Sequence, residues 1–130
     1  MTTNLIPICS SSELVERGRG VRFAVRVDGQ AATAFVVRYD NTAHGYLNRC
    51  AHVPIELDWN EGDFFESSGL YIMCATHGAV YTPDRGKCVG GPCKGASLRK
   101  LAVEENNNQV FWRPDDYVNA PEGQPFPEAI

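Results

Sequence analysis

The chain has 130 residues, 43% of them hydrophobic and 22% charged, with a formal net charge of −4. A chain of that size and composition suits one domain with its own core, and no apolar run approaches the length of a membrane helix, so the sequence reads neither as a membrane protein nor as a disordered one. Charge argues against nucleic acid as a partner: residues up to Arg113 carry 12 basic and 12 acidic side chains, and the acidic excess sits in Asp115, Asp116, Glu122 and Glu128, whereas nucleic-acid binders need a basic footprint.

Met1 to Cys9 has no basic stretch followed by an apolar one, and no twin arginine precedes Leu5, so a cytoplasmic, reducing location is expected. Five cysteines (Cys9, Cys50, Cys74, Cys88 and Cys93) are an odd set. In a reducing compartment they favour metal ligation and free thiols over a disulfide framework.

Taken in order, Leu5 to Cys9 is a short apolar strand that Pro7 confines to a sheet edge. Ser11 to Glu16 begins a single serine-capped helical turn, stopped by Gly18 and Gly20. Val21 to Val27 alternates apolar and polar side chains as a half-buried strand does, Asp28-Gly29 is a hairpin turn, and Ala34 to Tyr39 is the returning strand. Asp40-Asn41 with Gly45 makes the next turn, placing His44 in a solvated loop, and Tyr46 to Asn48 leads into Cys50. Val53-Pro54-Ile55-Glu56 is a loop, and Phe64 and Phe65 in the polar stretch after it are expected to cover the core. Leu70 to Met73 reads as a buried strand feeding Cys74, and Ala79 to Tyr81 as a short strand leaving His77. Thr82 to Gly95 holds six glycines and prolines and reads as a long loop or two, with the charges of Asp84-Arg85-Gly86-Lys87 at a solvated tip. Ser97 to Glu105 and Gln109 to Arg113, joined by Asn106-Asn107-Asn108, form a closing hairpin. The fold class is all-β, a small β-sandwich or barrel carrying metal loops at one end. Residues 1–113 form the domain, with its cluster-binding part at about 48–95, and 114–130 are an acidic, proline-containing tail laid on the body through Tyr117 and Phe126.

Chemistry concentrates between Cys50 and His77. Cys50-Ala51-His52 and Cys74-Ala75-Thr76-His77 are two Cys/His pairs, separated by 21 residues and each following a predicted strand. Two thiolates and two imidazoles form a soft ligand set. Cysteine and histidine two or three residues apart bind one metal poorly together, and a [2Fe-2S] cluster removes the difficulty, with the cysteines on one iron and the histidines on the other. A zinc ion held by Cys2His2 is the rival, but zinc modules pair like ligands, C-x2-4-C with H-x3-5-H, and this chain does not. A lone Cys and a lone His are usually core residues; two such pairs in this order are not readily accidental. Cys9 is read as a core or surface thiol; Cys88 and Cys93, which flank Gly90-Gly91-Pro92, are read as buried free thiols in a reducing compartment, with a local disulfide or a redox role as the alternative.

From about Val21 to Arg113 the chain resembles the Rieske proteins, in particular the small ferredoxin-like members that serve bacterial oxygenases, through C-x-H and then C-x2-H-G. The resemblance implies a cofactor of one Rieske-type [2Fe-2S] cluster, with Cys50 and Cys74 on the buried iron and His52 and His77 on the iron nearer the surface. It also implies that Gly90-Gly91-Pro92 is a third loop covering the cluster. High-potential respiratory relatives carry a disulfide between loop cysteines, where this chain has Ile55 and Thr76, and a sulfur-bonding serine where it has Ala79; Tyr81 occupies the matching tyrosine position. Fewer donors leave the sulfurs electron-rich, which points to a potential of about −150 mV rather than +300 mV. The expectation is a low-potential electron carrier, not an enzyme, working between a reductase and a terminal oxygenase. Its outward face would be His52 and His77 with a rim including Val53, Pro54 and Pro92. The alternative is a cluster-bearing subunit of a larger reductase or redox-regulatory assembly. The catalytic subunit of an oxygenase would need a second iron held by two histidines and a carboxylate, and after His52 and His77 only His44 remains.

Overall fold

In the computed structural model the described residues are 5–50, 55–58, 61–75, 78–91, 95–115 and 117–120. The strands are β1 (Ile6–Ser10), β2 (Val21–Val27), β3 (Gln30–Tyr39), β4 (Thr42–Leu47), β5 (Ile72–Met73), β6 (Val80–Tyr81), β7 (Cys88–Gly90), β8 (Lys100–Asn106), β9 (Gln109–Arg113) and β10 (Val118–Asn119). One sheet has the order β1-β9-β8-β4-β3-β2-β10, and β5-β6-β7 make a second. All the strand pairs are antiparallel. β1 also packs against β2, so the large sheet curls into a half-barrel. The fold is all-β, as the turn-rich sequence implies, and no helix of the described residues is long and apolar enough to cross a membrane.

Three hairpins of the large sheet turn on two residues each: Asp28-Gly29, Asp40-Asn41 and Asn107-Asn108. All six residues have φ between 50° and 78°, the left-handed pair that matches the natural strand twist and that Asn, Asp and Gly tolerate best. These turns set the register. On β3 that register buries both faces: Phe35 and Val37 join the cluster that contains Cys50 and Cys74, while Ala34 and Val36 point to clusters on the opposite face. A strand covered on both sides reads as a continuous apolar run, which Ala34-Phe35-Val36-Val37 is. On β4, Tyr46 and Leu47 divide in the same way. The half-barrel therefore has its own interior around Trp112, Val25 and Val118, and a second core between β3–β4 and the small sheet.

Several elements depart from expectation for packing reasons. Gly45 is inside β4, not in a turn, and a Cβ there would come within 2.4 Å of Val103 Cγ2; glycine lets β8 lie close. His44 is accordingly a half-buried strand residue rather than a loop residue. Leu70 and Tyr71 are 44% and 39% exposed, and only Ile72–Met73 pair as a strand. The stretch expected as loop from Thr82 to Gly95 contains β7, paired with β6. Past Arg113 the chain returns to the sheet, where β10 pairs with β2, and Tyr117 lies under the Arg99 guanidinium at 4.9 Å. Phe126 lies outside the described residues.

His44 has a pH consequence. Burial, with the nearby Lys100 charge second, lowers its pKa below the ordinary 6.5, against smaller opposing pulls from Asp84 and Asp40. The unfolded chain then binds a proton more readily than the folded one, so stability is full above about pH 6.5 and falls as pH drops toward the lower folded value. Thermal unfolding between pH 7 and 5 should show this loss, and His44→Gln should flatten the curve over that interval. An unchanged slope in the variant would assign the loss to other groups.

Candidate metal centre

Cys50 follows β4 and Cys74 follows β5, so each thiol sits at the start of a loop that a strand delivers. The first loop closes when Cys50 N–H donates to Ile55 O at 2.7 Å. The second closes through Cys74 N–H to Ala79 O at 2.8 Å and Gly78 N–H to Cys74 O at 2.9 Å. Gly78 at the end of that turn has φ +75°, where an L side chain would be strained. Cys50 and Cys74 are 3% and 0% exposed, and both belong to one core cluster with Phe35, Leu57, Phe64, Ile72 and Tyr81. The Tyr81 hydroxyl, carried on β6, lies 3.3 Å from Cys50 Sγ. His52 and His77, with Thr76, Val53, Pro54 and Pro92, lie outside the described residues.

The loops are tied together by residues that the sequence pattern did not single out. Leu57 is completely buried; its N–H donates to Asn48 Oδ1 at 2.8 Å and its carbonyl accepts from Ala75 N–H at 2.9 Å. Asn48 Nδ2 in turn donates to Asp58 Oδ1 at 2.9 Å, and Asp58 Oδ2 accepts from Gly62 N–H at 2.9 Å. Asn48 and Asp58 are the buried polar residues of the core among the described residues. Arg22 on β2 balances the Asp58 carboxylate, with Nε 3.6 Å from Oδ2, and also reaches Glu56 at 2.8 Å and Glu61 at 3.1 Å. An uncompensated buried carboxylate would be costly. The only sequence signal for this network was two polar residues flanking a metal motif, too weak to name partners 10 or more positions away.

The third loop also meets the second. A Cβ on Gly91, at φ +81°, would come within 2.8 Å of the Gly78 carbonyl oxygen, so the close approach of the two backbones requires glycine. Cys88 is disulfide-bonded, against the expectation of a free thiol. That expectation rested on a reducing compartment, which bears on whether such a bond persists and not on whether the chain can form it. Cys93 lies outside the described residues. Cys9 is free and half-buried, and burial, with Glu13 second, pushes its thiol up to about 11. It stays protonated at neutral pH and is a poor ligand.

Two buried cysteines stand at the heads of two loops, with a hydroxyl close to one of them. The profile of the Rieske [2Fe-2S] domain matches residues 4–110. The chain belongs to the Rieske [2Fe-2S] domain family. Solved Rieske structures share the fold. The ferredoxin of carbazole 1,9a-dioxygenase from Nocardioides aromaticivorans IC177 is 23% identical, with a TM-score of 0.68 over 88% of this chain and 100% of that one. A ferredoxin in a complex of reduced oxygenase and oxidized ferredoxin in carbazole 1,9a-dioxygenase is 21% identical, with a TM-score of 0.65 over 86% of this chain and 94% of that one. The terminal oxygenase of carbazole 1,9a-dioxygenase from Novosphingobium sp. KA1 is 26% identical, with a TM-score of 0.63 over 95% of this chain but only 32% of that one. No curated protein sequence matches the chain significantly.

A Rieske domain carries one Rieske-type [2Fe-2S] cluster, and the described residues fit one. With a thiolate at Cys50, the Tyr81 hydroxyl 3.3 Å away would be the donor, since a thiolate can only accept. Burial with an aromatic and aliphatic lining keeps water from the sulfurs. The family and its structural neighbours support an electron-carrier role.

Proposed function

We propose that this chain is a low-potential Rieske-type ferredoxin that carries single electrons from a reductase to a terminal oxygenase or similar enzyme. Cys50 and Cys74 would hold the inner iron, and His52 and His77 the outer one. The single observation that carries the reading is the burial of Cys50 and Cys74 in one core cluster, each at the head of its own loop. When bound, the cluster supplies a one-electron couple. The chain's own residues then exclude water from the sulfurs, hold the thiolates in place and tune them through donors such as the Tyr81 hydroxyl.

Support for the low end of the Rieske range comes from the residues that flank the thiols. Ile55 brings no cysteine to the first loop, and Ala79 is fully buried with no hydroxyl to offer. Support for an oxygenase as acceptor comes from the neighbours that are oxygenase-system ferredoxins. The match to a terminal oxygenase, over about a third of that chain, favours a second reading as the cluster-bearing part of a larger assembly. This chain's three histidines cannot supply both the cluster and a two-histidine catalytic iron.

Purified protein should be red-brown, contain near-equal iron and acid-labile sulfide, and give a rhombic low-temperature EPR signal only after reduction. Colourless, zinc-containing protein would end the reading. A measured potential near +300 mV would remove its low-potential part. Tyr81→Phe should lower the potential by about 20–60 mV, the one-electron equivalent of one hydrogen bond that favours the more negative reduced state. Protein-film voltammetry would read this, and an unchanged potential would mean that the hydroxyl is not bonded to a cluster ligand.

A further inference from the structure

Leu57 has an unusual position in the hydrogen-bond pattern. Its N–H is held by Asn48, two residues before Cys50, and its carbonyl by Ala75, one residue after Cys74. One residue, through the peptide groups on its two sides, therefore links the two cysteine loops. Asn48 has no freedom to choose another geometry, because its amide is anchored to Asp58, whose carboxylate also accepts from Gly62 and faces Arg22. Asn48 and Asp58 are buried, with the Asp58 side chain at 0% exposure. The buried hydrogen bonds of Asn48 and Asp58 are rigid because each group that lets go leaves an unsatisfied partner in a low-dielectric interior, while Arg22 Nε faces Asp58 at 3.6 Å as an ion pair without a hydrogen bond of its own. The apolar core around these bonds could be satisfied by many similar packings. This network is satisfied by one.

We infer that Asn48 and Asp58, braced by Arg22, are positioning residues that set the spacing of the Cys50 and Cys74 loops and so hold the geometry of the metal centre. The inference rests on the assignment of Cys50 and Cys74 as ligands. Neither residue needs to touch the metal. Asn48 acts through the Leu57 peptide and Asp58 acts through Asn48, so their loss should alter the centre more than it alters the half-barrel.

The test uses the full-length holoprotein and three variants. Asn48→Leu removes both hydrogen bonds of the amide at similar volume. Asp58→Asn keeps the shape but offers one oxygen where Asn48 and Gly62 each need one. Val118→Ala, in the separate core of the half-barrel, controls for stability alone. Three quantities are read: thermal midpoint, rate of iron release to a chelator under native conditions, and the g-values of the reduced EPR signal. Asn48→Leu should release iron roughly tenfold faster than wild type, the factor that goes with about 1.4 kcal/mol lost over its two hydrogen bonds together, with shifted g-values. Asp58→Asn should show a smaller change of the same kind, and it remains informative if Asn48→Leu does not fold. Val118→Ala should lower the midpoint while its g-values and release rate stay as in wild type. If Asn48→Leu and Asp58→Asn lower the midpoint but keep wild-type g-values and release rate, the positioning role is wrong. Wild-type protein that binds no iron would instead overturn the ligand assignment beneath it.

Discussion

Serine in place of Cys74 is expected to give protein with less than roughly a tenth of the wild-type iron, because an alkoxide is too basic to replace a thiolate at neutral pH and the buried iron has only two protein ligands in the proposed arrangement. Cys74 is fully buried, and its backbone is fixed on both sides by Ala79 O and Gly78 N–H. Among the described residues no group of three or more His, Cys, Asp or Glu side chains forms an alternative metal site. Cys50→Ser should behave in the same way, with the Tyr81 hydroxyl left facing an alcohol in place of a sulfur. Iron and sulfide per chain, with the visible spectrum, decide the matter. A variant with its full complement of iron would show that the cluster is held elsewhere. Cys9→Ser is the internal control, since its thiol is held protonated and should leave iron content unchanged.

Phe64→Ala should cost about 3–5 kcal/mol of stability. Its ring is 1% exposed and stacks on Phe35 with centroids 3.8 Å apart and planes at 12°. Phe35 belongs to β3 of the half-barrel, and the Phe64 carbonyl accepts from Met73 N–H of β5 at 2.9 Å, so this one residue links the large sheet to the small one. Truncation removes apolar burial, an aromatic pair and the filling of a close-packed site together. A fall in thermal midpoint of roughly 10–20 °C is expected for a chain of this size. Chemical denaturation of the holoprotein, followed by far-UV and visible signals in parallel, would also show whether the cluster is lost in the same transition. A loss below about 1 kcal/mol would mean that the site collapses around the missing ring.

How much of this was legible beforehand depends on the range of the interaction. Turn chemistry is local: Asp28-Gly29, Asp40-Asn41 and Asn107-Asn108 carry their left-handed preference in their own side chains, and the structure places a hairpin at each. Gly45 shows the limit of that reasoning. Glycine in sequence looks like a turn, but its reason here is Val103 on a strand 58 positions later. Leu70 and Tyr71 fail for the converse reason: apolar residues beside a buried strand look buried until a sheet of only three short strands leaves them uncovered.

The same division runs through the metal centre. The proposed ligand types and their spacing, Cys50 with His52 and Cys74 with His77, stand in the sequence because metal chemistry needs particular atoms, and atoms are written in residue names. The missing serine at Ala79 and the tyrosine at Tyr81 are readable in the same way. What tertiary structure alone decided is how the two loops are held: Tyr81 against Cys50, Leu57 bonded to both loops, and Asn48, Asp58 and Arg22 behind them. These contacts join β2, β4, β5 and β6, and a hydrogen bond between side chains far apart in sequence has no local signature. Only the packing of the small sheet and its loops against β3 and β4 brings them together.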